Sequence, residues 1–142
     1  MKRLGLAIVL TAMALAPVSS VHADKAFTVG DIKGRYAFSF QGEIVGVAPT
    51  AATGMLVADG RGEITYAIRS INIGGVPVSE TFSCTLTVNE DGTGSAECPL
   101  DDPAPGAPPV ETFDFVLEDK GKAFRFVGTT PGIVVLGSGA RQ

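Results

Sequence analysis

The stretch Phe82–Leu100, FSCTLTVNEDGTGSAECPL, alternates apolar and polar positions on either side of Glu90-Asp91-Gly92. Alternation with period two marks a half-buried strand, and a three-residue loop ending in glycine joins two such strands as a hairpin with a bulge. Setting Asn89 opposite Thr93 pairs Val88 with Gly94, Leu86 with Ala96, Cys84 with Cys98 and Phe82 with Leu100 on one face. Thr87 with Ser95, Thr85 with Glu97 and Ser83 with Pro99 fall on the other. One register therefore separates apolar from polar and brings the two cysteines together, which predicts a Cys84–Cys98 disulfide across neighbouring strands.

The same alternation recurs along the chain. After a lead-in with one helical turn (Asp24–Lys33), Gly34–Glu43 puts Tyr36, Phe38 and Phe40 on one face and Ala37, Ser39 and Gln41 on the other. Val45–Thr50 reads as a connection. Ala51–Val57 and Glu63–Ile73 flank Ala58-Asp59-Gly60-Arg61-Gly62, whose D-G-x-G returns at Asp91-Gly92-Thr93-Gly94. Equal loop geometry in both sets Leu56 against Gly62 and Gly54 against Ile64. Ile64, Tyr66 and Ile68 share one phase while Ile71 and Ile73 take the other, so a bulge near Arg69–Ser70 is expected, with Tyr66 facing Phe82. Gly74-Gly75 turns into Val76–Val88, where Glu80 shares the inward phase of Val78 and Phe82 and comes near Arg69. That pair reads either as an ion pair at a rim or as a polar anchor for a ligand.

Asp101–Pro109 is a proline-rich loop. Beyond it Phe113, Phe115 and Leu117 share a face, as do Phe124 and Phe126, and a four-residue loop sets Phe115 opposite Phe126 and Leu117 opposite Phe124. Ile133–Arg141 closes the series. Eight strands joined by short turns predict an all-β chain folded as a single antiparallel up-and-down barrel. A two-sheet sandwich is the alternative, and it needs longer crossovers than most of these.

The N-terminus carries a different pattern. Met1-Lys2-Arg3 is basic, Leu4–Ala16 is mostly apolar, and Pro17–Ala23 ends Val21-His22-Ala23. This is the tripartite form of a secretory signal peptide at residues 1–23, cleaved after Ala23, with the barrel domain at 24–142. Export to the periplasm or the medium follows, and an oxidising compartment suits the disulfide. The apolar run is shorter than the roughly 20 residues that a spanning helix needs. Removing Lys2 and Arg3 leaves nine basic residues against fifteen acidic, a net charge of −6, which argues against nucleic acid as a partner.

His22, the sole histidine, leaves with the signal. Histidine-dependent triads and histidine metal sites are thereby excluded from the mature chain. The D-G-x-G loops lack further acidic ligands at calcium-binding spacing, so no metal is expected, and no cofactor or catalytic residue is assigned. What remains is an aromatic face. Tyr36, Phe38, Phe40, Tyr66, Phe82, Phe113, Phe115, Phe124 and Phe126 can all point inward, with Arg69 and Glu80 among them. They form either a packed core or an apolar pocket with a few polar groups.

Gly34-Arg35-Tyr36 opens the first strand where lipocalins have G-x-W, and Arg141 ends the last strand where lipocalins place an arginine over that tryptophan. On these residues the chain resembles the calycin-like small barrels, which include lipocalins and the allene oxide cyclase and dirigent barrels. Tyrosine stands at the tryptophan position. The first of three readings is a barrel that binds a small apolar ligand, and the inward face supplies its candidate contacts: Tyr36, Phe38, Phe40, Tyr66, Arg69, Glu80, Phe82, Phe115, Phe124 and Phe126. A packed structural or protein-interaction module and a histidine-free cyclase-type enzyme are the other two readings.

Overall fold

The computed structural model describes residues 25–103 and 106–142, so the expected signal peptide, Met1–Ala23, lies outside the described residues. Eight strands form one antiparallel sheet in sequence order, closed by pairing the first with the last. They are β1 (Lys33–Ile44), β2 (Ala48–Asp59), β3 (Glu63–Ile73), β4 (Val76–Val88), β5 (Thr93–Pro99), β6 (Val110–Glu118), β7 (Ala123–Gly128) and β8 (Ile133–Arg141). Closure pairs both edges that an open sheet would expose. It also gives every strand residue one of two environments, interior or solvent. A single 3-10 turn, Val29–Asp31, precedes β1, and the segment called a connection at Val45–Thr50 is a three-residue turn followed by the start of β2. Among the described residues no helix is long and apolar enough to cross a membrane.

The hairpin β4–β5 has the expected register, with Leu86 opposite Ala96 and Thr85 opposite Glu97. Gly92 adopts φ +88°, and the Cys84–Cys98 disulfide joins the strands with a Cα–Cα distance of 4.1 Å. The β6–β7 hairpin likewise pairs Phe115 with Phe126 and Leu117 with Phe124.

The β2–β3 hairpin departs from expectation. Leu56 meets Ala67 rather than Gly62, and Gly54 meets Arg69 rather than Ile64. The loop is Gly60-Arg61-Gly62, because the Asp59 carboxylate ends its strand and accepts hydrogen bonds from the Arg61 and Glu63 amides at 2.7 and 3.1 Å. Asp91, by contrast, sits inside its loop and accepts from the Thr93 amide and hydroxyl. Both loop positions keep Leu56 and Ile64 inside, so alternation could not choose between them.

The bulge also falls earlier, at Thr65-Tyr66 rather than near Arg69–Ser70. Ala67, not Tyr66, faces Phe82, and Tyr66 turns outward, 44% exposed. The interior at that level is already occupied by the Phe38 and Phe82 rings, whose centroids lie 6.4 Å apart, and the small Ala67 fits beside them. From Ala67 onward the inward phase is Ala67, Arg69, Ile71 and Ile73.

One end of the barrel is shut. Tyr36 is fully buried and its hydroxyl donates to the Gly121 carbonyl at 2.6 Å. Arg141 donates to that hydroxyl at 3.0 Å and to the Asp31 carbonyl at 3.2 Å, with its guanidinium 5.4 Å from the Tyr36 ring centre. Ile32 is buried beneath, and Phe27 packs over Gly92 at the neighbouring turn. The β1–β2, β3–β4, β5–β6 and β7–β8 turns lie at the opposite end.

The disulfide closes a loop of 14 residues' separation, which corresponds to about 3 kcal/mol of constraint on the unfolded chain. Reduction, or Cys84→Ser with Cys98→Ser, should lower the melting temperature by about 10 °C in calorimetry while the β-sheet signal below the transition persists.

Candidate functional site

Arg69 on β3 projects into the middle of the barrel and is 3% exposed. Its cross-strand partner on β4 is Glu80, and its Nε donates to Glu80 Oε2 at 2.7 Å. Nη1 and Nη2 donate to the two oxygens of Glu111, on β6, at 2.7 and 2.9 Å, the parallel fork that suits guanidinium and carboxylate. Phe40 and Phe82 flank the guanidinium, with their ring centres 5.6 and 5.3 Å from its carbon. Burial works against the charge on Arg69. The hydrogen bonds and charges of Glu111 and Glu80 outweigh it and hold the pKa above the ordinary arginine value. This is a buried ion pair with a third charged member, not a pair at the rim.

The cluster divides the interior. On the closed side, Phe38, Phe82, Phe115, Phe124 and Phe126 pack together with Leu56, Ile64 and Leu86, leaving a void of about 70 Å³. Glycines make room for the rings: a Cβ at Gly137 would lie 2.4 Å from Phe126 Cζ, and one at Gly139 would lie 2.3 Å from Phe124 Cζ. A void that small and that apolar stays dry and admits no drug-sized molecule.

On the open side the barrel forms a cup of about 730 Å³. Arg69, Glu80, Glu111, Phe40 and Phe113 line its inner part. Ile44, Ile71, Ile73, Ile133 and Val135 form walls, and the exposed Val45 and Val47 sit at the mouth. Thr130 also lines the cup, its hydroxyl oxygen accepting from the Thr112 amide at 2.8 Å. Thr50 is 4% exposed, and its hydroxyl has no hydrogen-bond partner among the described residues. No group of three or more His, Cys, Asp or Glu side chains among the described residues is placed to hold a metal ion.

Of the ten candidate contacts, only Phe40, Arg69 and Glu80 border the cup. Phe38, Phe82, Phe115, Phe124 and Phe126 belong to the packed half, Tyr36 to the closed end, and Tyr66 to the outer surface. Sequence reasoning missed Glu111 and Thr50. Glu111 had a visible signal, since it shares the period-two phase of Phe113, Phe115 and Leu117. Thr50 was passed over because Val45–Thr50 read as a connection, whereas Thr50 belongs to β2.

The fold and the site define a small closed antiparallel barrel, packed at one end and open at the other over a charged floor. The architecture is compatible with a calycin-like fold. Compared with known proteins, the chain matches no protein-family model, no curated protein and no solved structure.

Arg69→Met keeps much of the side-chain volume but leaves two carboxylates buried without their counter-charge. It should cost about 3–5 kcal/mol, measured by urea denaturation. Arg69→Lys should recover only part of this, because an ammonium cannot span both carboxylates with a planar fork.

Proposed function

We infer that the protein is an exported binding protein that holds a small, mainly apolar ligand in the open half of its barrel. The observation that carries this reading is the cup of about 730 Å³, a size within the usual range for small-molecule sites. Its walls are mainly aliphatic, its mouth carries exposed valines, and its charged groups are gathered on the floor. The aromatic residues serve it indirectly, by filling the other half and so supporting the floor from below. The N-terminal signal pattern and the disulfide support export. The tyrosine–arginine stack at the closed end supports kinship with the lipocalin-like barrels, where a tryptophan and an arginine stand at the corresponding places.

Two measurements test the reading. Mass spectrometry of the exported protein should find a chain beginning at Asp24, and one beginning at Met1 would reject the signal peptide. An apolar dye whose emission rises on leaving water should titrate saturably into the native protein at one site. Ile73→Trp, at a half-buried position of the wall, should narrow the cup and weaken that binding at least tenfold with the fold retained by circular dichroism. A folded native protein that takes up no dye would instead favour a structural barrel.

A further inference from the structure

The floor of the cup carries an unbalanced charge. Two carboxylates, Glu80 and Glu111, face one guanidinium, and every other residue lining the cup is uncharged. Each nitrogen of Arg69 already donates to a carboxylate oxygen. The arginine therefore has little to offer an incoming anion. Glu80 differs, because its Oε2 takes the bond from Arg69 while its Oε1 accepts none from the described residues. Both carboxylates are paired with Arg69, yet the cluster as a whole keeps one net negative charge beside the cup, and a net negative charge in a partly desolvated site favours a cation over an anion. The unpartnered hydroxyl of Thr50, buried and bordering the same cup, is a second polar group awaiting a partner. Along β2 it stands four residues from Gly54, the position opposite Arg69, or about 13 Å nearer the mouth.

The geometry points to an amphipathic amine as the ligand class: a protonated amino head on the Glu80 and Glu111 carboxylates, with an apolar body against the aliphatic walls. This inference rests on the binding reading above and adds the chemistry of the head group. The acidic surface supports it too, since a net negative protein attracts cations and repels fatty-acid-like anions.

The test is a head-group series on one tail. Decylammonium, decanol and decanoate are each used at pH 7 to displace the apolar dye from the native protein. Decylammonium should compete about tenfold or more better than decanol, with decanoate weakest, as a charge-assisted contact in a partly desolvated site implies. Glu80→Gln, checked for folding by circular dichroism, should bring the amine down to the level of the alcohol. Equal competition by all three, or decanoate first, overturns the amine inference while leaving the binding reading standing. An amine preference that survives in folded Glu80→Gln overturns it as well. If neither dye nor any of the three binds, both fall. Should Glu80→Gln fail to fold, the native series decides alone.

Discussion

Three charged side chains from β3, β4 and β6 meet in the middle of the barrel, and the rest of the interior is arranged around their need for one another. A guanidinium removed from water must find acceptors for its fork of donors, and Glu80 and Glu111 supply them. Because β6 is separated from β4 by β5, the cluster bridges the interior as well as joining neighbours. Phe40 from β1 and Phe82 from β4 cover its two sides. Such a cluster seldom increases stability over a well-packed apolar equivalent, yet losing one member is severe because the others stay buried.

Below the cluster the barrel behaves as an ordinary core. Eight strands enclose a space that side chains can just fill, and here large rings fill it by leaning against glycines on neighbouring strands. The closed end is held by directional contacts: Tyr36 to Gly121, and Arg141 to Tyr36 and Asp31. These tie the segment before β1 to the last strand and the β6–β7 turn, so the end is shut by hydrogen bonds as well as by burial. Above the cluster, beyond Phe40 and Phe113 at the inner end of the cup, the described lining side chains are aliphatic or small. The interior opens there for lack of volume, which a pattern of apolar residues alone does not reveal.

Much of the architecture was legible because closed antiparallel sheets enforce a period of two. The β4–β5 register, its disulfide, the β6–β7 pairing and the strand count all followed from alternation together with glycine at turns. The β2–β3 hairpin was misread because two loop positions preserve the same inside and outside residues. An aspartate carboxylate binding two backbone amides selected between them, a preference worth little in pattern terms but decisive for geometry. The misplaced bulge had the same origin: any site between Ile64 and Ile71 restores the apolar phase, and only the crowding beside Phe82 excluded Tyr66.

The candidate site was legible only in part. The Arg69–Glu80 contact could be foreseen because the two residues face each other on adjacent strands. Glu111 lay on an inward phase in plain view, but its partner is two strands away from its own neighbour in sequence, and alternation carries no information about distance across a barrel. The sequence by itself determined most of the residues that face in, Tyr66 beside the misplaced bulge being an exception, since facing depends on local pleat and polarity. Only the closed tertiary structure decided which half of the interior is filled and which charges share it, because those outcomes depend on summed side-chain volumes and on contacts made across the sheet rather than along it.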